Sequence, residues 1–178
     1  HRMTFGMEHG NEKFRRDVVK RNYPNKVAIE LMKIPADLDI TFSVNNIIGF
    51  PGETRELAFD TIELNRHFKS DSTSFSTLIP FAGTEIRRLA ESQNLIKPDQ
   101  ICTRATTSEE GILDMPQWRK KEVAKLTKTA AMYVKFPKDR WAEIKKAEED
   151  SELFSKLSAE YANTFWQEDK TMTAALGI

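Results

Sequence analysis

The side chains able to do chemistry gather at the ends of two alternating stretches. Asn45-Asn46-Ile47-Ile48-Gly49-Phe50-Pro51-Gly52-Glu53 closes the second of them. An asparagine inside a buried strand must find hydrogen-bond partners or cost roughly 1–3 kcal/mol. The first stretch ends in the carboxylate of Glu8 and is followed by His9 and, further on, by Lys20 and Arg21. Amides that donate and accept, a carboxylate and a two-pronged guanidinium are the groups that hold a polar organic ligand. The sole cysteine, Cys102, can close no internal disulfide and cannot by itself hold a thiolate-bound metal cluster. A lone thiol fits a reducing, cytoplasmic setting.

These residues must be positioned by strand-then-helix units, of which the sequence predicts three. Met3 to Glu8 reads as a strand with a helix over Glu12 to Asn22, and a second helix runs from Lys26 towards Lys33, ended by Pro35. Ile40 to Ile48 reads as the second strand. It leads into a helix from Thr54 to Phe68 whose Leu57, Ala58, Ile62, Leu64 and Phe68 form an apolar stripe. The third strand, Ser74 to Ile79, precedes a helix from Thr84 to Gln93 with Ile86, Leu89 and Ala90 turned inward. Repeated strand–helix order implies parallel strands.

Period-two alternation then sorts the strand residues by face. Ile40, Phe42, Val44, Asn46 and Ile48 share the face that packs under helices, while Thr41, Ser43, Asn45 and Ile47 take the other. In the first strand Met3, Phe5 and Met7 oppose Thr4, Gly6 and Glu8. A parallel sheet covered on both sides is apolar on both faces. A polar second face implies strands that line a ligand cavity.

Beyond Leu95 the texture changes. A loop rich in Thr and Ser runs through Cys102, Thr106 and Gly111 to Met115-Pro116, so residues 96–116 read as a linker and 117–178 as a helical extension. One helix is expected from Gln117 to Phe136, stopped by Pro137, and another near Lys138. The last carries Phe154, Leu157, Tyr161 and Phe165 on one face, and the run from Glu143 to Glu152 reads as a solvated surface. Thr171 to Ile178 has no strong pattern. Lys plus Arg and Asp plus Glu both total 27, which argues against a nucleic-acid partner held by bulk charge. No apolar run reaches the roughly 18–20 residues of a membrane span. His1 is no initiator, and alternation is already under way at Met3, as expected for a piece of a longer protein.

Three of these segments carry a resemblance. Gly6-Met7-Glu8-His9-Gly10-Asn11-Glu12, with Arg15 and Lys20-Arg21 beyond, resembles the GIESGNE…R…LKR segment of radical S-adenosylmethionine (SAM) enzymes. NNIIGFPGET resembles the fifth-strand motif of that family. Ile79-Pro80-Phe81-Ala82-Gly83-Thr84 resembles its sixth-strand ending, written P-x-x-G-T. The likeness covers residues 1–95, in family order, and is nearest to the subgroup that often carries a cobalamin-binding domain. Tyr133-Val134-Lys135-Phe136-Pro137 resembles the extension of that subgroup less specifically.

The resemblance implies an α/β fold: half of a partial (β/α)6 TIM-like barrel, strands four to six, followed by a helical extension. It implies SAM as cofactor and a 4Fe-4S cluster at which SAM is reductively cleaved to a 5′-deoxyadenosyl radical. In the cobalamin subgroup the outcome is methyl transfer to an unreactive carbon. The family's C-x-x-x-C-x-x-C cluster loop is absent here, so its ligands would come from the missing N-terminal half, the expected partner, and this chain alone would be inert. By motif position Glu8 takes the fourth-strand polar place, Arg21 the following basic place for the methionyl carboxylate, and Asn45 the fifth-strand place for the ribose. Gly49 lets the backbone approach the ligand, and Phe81 lies where adenine would be contacted. A small-molecule or lipid-like substrate goes unnamed. The other functional class is a non-catalytic βα interaction module that kept the scaffold and lost the chemistry.

Ordinary roles are expected for the remaining polar and aromatic residues. His9 reads as a turn residue, Asn46 as making a structural bond to a loop, and His67 as structural. Cys102 reads as a bystander, and Trp118, Trp141 and Trp166 as packing residues.

Overall fold

The computed structural model describes residues 2–102 and 111–165. Three parallel strands, β1 (Met3–Glu8), β2 (Phe42–Ile48) and β3 (Ser72–Thr77), lie side by side in sequence order. Between them run α1 (Glu12–Asp17), α2 (Asn25–Leu31), α3 (Lys33–Asp37) and α4 (Arg55–Asn65), and α5 (Glu85–Ser92) follows β3. The later part holds α6 (Lys120–Lys135), a 3-10 turn (Lys138–Arg140), α7 (Trp141–Ala147) and α8 (Ser151–Phe165).

Capping residues set the helix starts. Asn11, Thr54 and Thr84 are extended, and each side chain accepts from the backbone N–H three residues on, at Phe14, Leu57 and Arg87. The sequence stripes then decide which face is buried. Ala58 and Ile62 of α4 meet Ile48 and Phe50. Val123, Leu126, Ala130 and Val134 of α6 and Leu157 and Tyr161 of α8 join the same core. A smaller core of Met7, Ala28, Phe42, Val44, Leu64 and Phe68 closes the β1 side. Helix α6 packs along β3 and against α4, so the later helices share one interior with the βα units.

Several boundaries depart from the sequence reading. The first helix stops at Asp17, not Asn22, because the Arg15 side chain folds inward and ties the following chain back. Its Nη1 donates to the His9 carbonyl at 2.7 Å and to Asn25 Oδ1 at 2.8 Å. Pro35 does not end a helix but lies in the first turn of α3, where a missing N–H has no partner to lose. Strand β3 starts two residues early because Asp71 anchors it: its N–H donates to the Phe42 carbonyl (3.0 Å) and its carboxylate accepts from Phe42 N–H (2.7 Å). Trp118 is in the core and Trp141 packs partly buried against it, whereas Trp166, Thr106 and the segment from Thr171 lie outside the described residues.

The charged run 143–152 is not simply solvated. Glu148 is buried, and its Oε1 accepts from Arg55 at 2.5 Å and from the Tyr133 hydroxyl at 2.7 Å, while Oε2 accepts from Lys145 at 2.8 Å. Burial alone would raise this carboxyl, but the hydrogen bonds from Arg55, Lys145 and Tyr133 outweigh it and hold it below the usual range. Burial and the bond to Glu148 push the Tyr133 phenol far up, so it stays a donor. A carboxyl depressed by folding adds stability above its unfolded value, about 4.3, and loses that stability as pH falls through the lower folded value. Urea titrations are therefore expected to show stability falling below about pH 4.3, with a shallower fall for Glu148→Gln. An unchanged slope in that variant would remove Glu148 from the acid transition.

Candidate functional site

Among the described residues, helices cover one face of the sheet. Phe42, Val44, Asn46 and Ile48 of β2 are buried against them, and Asn45 between them is exposed on the opposite side. That open face carries small groups, most of them polar, namely Thr4 and Gly6 of β1, Ser43 and Asn45 of β2, and Ser74 and Ser76 of β3, with the half-buried Ile47 at its carboxyl end. They bond across the strands. Thr4 and Ser43 hydroxyls lie 3.0 Å apart, and the Ser74 hydroxyl donates to Asn45 Oδ1 at 2.8 Å. Asn45 itself is exposed on this face, and its amide nitrogen can donate to a ligand hydroxyl or carboxylate. Because the strands are parallel, all three carboxyl ends lie along one edge, the place where ligands meet open α/β sheets.

At the β1 end Glu8 Oε1 lies 3.3 Å from Arg21 Nη2, and Arg21 Nη1 donates to the Gly6 carbonyl at 2.9 Å. Glu8 has φ +66° and sits at a register shift between Gly6 and Glu8. Its carboxylate folds back over Gly6, where a Cβ would meet Oε1 at 2.6 Å. Glu8, Arg21 and Asn45 are thus on the open side together. Phe81, half exposed beyond β3, lies on the same carboxyl-end loops. Gly49 has φ +87°, and a Cβ there would come within 2.9 Å of Val123 Cγ1, so turn and helix packing already require glycine.

Asn46 is buried, as its face implies, but its partners are helix and strand rather than a loop. Its Nδ2 donates to Asn65 Oδ1 at 3.1 Å, Asn65 Nδ2 returns to Asn46 Oδ1 at 2.9 Å, and Thr73 donates to Asn65 Oδ1 at 2.9 Å.

His9 is more than a turn residue. It is fully buried, stacked on Phe14 at 4.5 Å, and its Nδ1 accepts from Asn11 N–H at 3.1 Å. That leaves Nε2 as the donor to Glu53 Oε1, 3.0 Å away. Glu53, also fully buried, takes the Gly49 and Phe50 N–H groups on Oε2 at 2.6 and 2.9 Å. The pair bolts the end of β1 to the turn after β2. The pair went unread in the sequence, although a Gly-Phe-Pro-Gly turn leaves backbone donors that the next carboxylate can take. Tyr23 adds a bond from its hydroxyl to the Met7 carbonyl at 2.8 Å, and burial pushes its phenol up. Arg87, likewise unforeseen, is buried and donates to the carbonyls of Lys97, Pro98 and Gln100, fixing the loop that carries Cys102.

Among the described residues no group of three or more His, Cys, Asp or Glu side chains could hold a metal ion. With a single cysteine in the sequence, the donor set does not fit a 4Fe-4S cluster. The open face does fit a ligand with hydroxyl, ammonium and carboxylate groups. Among the described residues no helix is long and apolar enough to cross a membrane.

No family model matches the chain. A protein of Pyrococcus horikoshii described as an uncharacterized methyltransferase is 25% identical over 136 residues, which are 76% of this chain and 28% of that protein. The chain therefore spans little more than a quarter of the length of this relative.

Proposed function

We propose that this chain is the C-terminal half of the partial barrel of a radical SAM methyltransferase, its open sheet face forming part of the SAM site. The observation that carries the reading is the uncovered polar face, with Asn45 and the Glu8–Arg21 pair gathered towards the carboxyl ends of parallel strands. The distant likeness to a methyltransferase supports the reaction class. Bound SAM would supply a sulfonium carbon–sulfur bond as the scissile group. Asn45 would hydrogen-bond a ribose hydroxyl, Arg21 would take the methionyl carboxylate in a two-point contact, and Glu8 would take the ammonium. Phe81 would contact the adenine. The cluster ligands, and a cobalamin where one is used, would come from the rest of the protein, and no step here runs through them.

Asn45→Leu tests the assignment, since it keeps the volume and removes the donor and acceptor. Leaving ribose hydroxyls unpaired in a closed site costs about 1–3 kcal/mol. Titrating SAM into the reconstituted full-length protein should show affinity weakened roughly tenfold to a hundredfold. Unchanged affinity would remove Asn45 from the site, and absence of SAM binding by the unsubstituted protein would remove the reading itself.

A further inference from the structure

We propose that Glu8 is held in a strained left-handed turn that aims its carboxylate at the ligand. The inference rests on the reading above that the carboxyl end of β1 faces the ligand.

Three observations carry it. First, Glu8 has φ +66°, and the His9 N–H donates to the Met7 carbonyl at 2.8 Å, two residues back. A three-residue turn closed by such a bond around a residue of positive φ is the rare, strained form of the γ-turn. Glutamate has no local hydrogen bond to its own backbone that favours this conformation, unlike asparagine or aspartate. Second, the turn is clamped on both sides. The Tyr23 hydroxyl holds the Met7 carbonyl at 2.8 Å, and the buried His9 ring is fixed by Asn11 N–H on Nδ1 and by Glu53 on Nε2. Third, the neighbouring position leaves room for the result. Gly6 carries no Cβ where one would strike Glu8 Oε1 at 2.6 Å, and the Gly6 carbonyl accepts from Arg21.

Strain of this kind persists where surrounding structure over-determines it, and it collects at ligand sites. A relaxed, extended Glu8 would continue the strand alternation without the register shift. The left-handed turn instead keeps the carboxylate over Gly6 and beside Arg21 on the open face. A carboxylate and a guanidinium side by side suit a zwitterion, an ammonium for one and a carboxylate for the other.

Two substitutions test this. Glu8→Ala and Glu8→Gly both remove the carboxylate and differ only in whether a Cβ opposes the positive φ. If the turn is strained, Glu8→Gly melts above Glu8→Ala by about 2–4 °C, the reverse of the usual order of alanine and glycine. Both should weaken SAM binding by the full-length reconstituted protein at least tenfold. Glu8→Ala melting at or above Glu8→Gly overturns the proposal, because no strain is then stored. The expected melting order with SAM affinity unchanged in both variants also overturns it, since the strain would then serve nothing at the site. Failure of the unsubstituted protein to bind SAM is a different result and falls on the function proposed above.

Discussion

Replacing Glu53 with alanine is expected to cost the chain about 3 kcal/mol or more, since it leaves three buried donors without an acceptor and each such group costs roughly 1–3 kcal/mol. Three donors converge on this carboxylate: His9 Nε2 on one oxygen, and the Gly49 and Phe50 N–H groups on the other. Both side chains are fully buried, so water cannot replace the missing acceptor. Glu53→Gln is expected to recover only part of the loss. Its one oxygen can serve the two backbone donors, but its NH2 group then confronts His9 Nε2–H, and the other tautomer would set a ring N–H against Asn11 N–H. Urea unfolding of the three forms measures the difference. A loss under about 1 kcal/mol for Glu53→Ala would show that the turn is held by its apolar neighbours instead.

The order and direction of the elements were legible because they depend on local periodicity. Alternation placed β1 at Met3–Glu8, and period two sent Asn45 and Asn46 to opposite faces, as the exposed and buried side chains now show. Thr54 and Thr84 were readable as helix starts because a cap acts within one turn. The candidate residues Glu8, Arg21 and Asn45 were legible one at a time, but not the contact between Glu8 and Arg21, which depends on the early stop of α1.

Buried polar partnerships were illegible for a physical reason. Nothing in the sequence marks Arg15 or Arg87 as inward-facing, yet each is buried and held largely by backbone carbonyls, which any residue supplies and no pattern marks. Glu148 sits in a run of charge that looks solvated, and only the approach of α4 and α6 brings Arg55 and Tyr133 to it. His9 meets Glu53 across 44 positions. Such contacts belong to tertiary geometry, and one-dimensional spacing carries them only as residues whose polarity disagrees with their face.

Asn46 is the clearest such disagreement, and it yields the second large effect. Asn46→Leu is expected to destabilise the chain by about 3 kcal/mol, since each buried group left unpaired costs roughly 1–3 kcal/mol. The substitution strips Asn65 of a donor at 3.1 Å and an acceptor at 2.9 Å, leaving it the Thr61 carbonyl and the Thr73 hydroxyl. Asn65→Leu alone should cost a similar amount, because Asn46 Oδ1 loses its donor and the Thr73 hydroxyl its acceptor, while Asn46 Nδ2 keeps Thr73 Oγ1 at 3.3 Å and the Ser74 carbonyl at 3.2 Å. Replacing both with leucine removes the two amides together, and apolar replacement of both members of a buried pair is far less costly than either half. The double variant should therefore be more stable than the sum of the singles implies by about 1–3 kcal/mol. Measured by urea unfolding, strict additivity would mean that Asn46 and Asn65 do not act as a pair. Asn45→Leu, one residue away on the open face, should change stability by less than about 0.5 kcal/mol, the usual range for a surface substitution. Two neighbouring asparagines thus separate the demands on this strand: one is held in place by buried hydrogen bonds, and the other stands exposed on the opposite face.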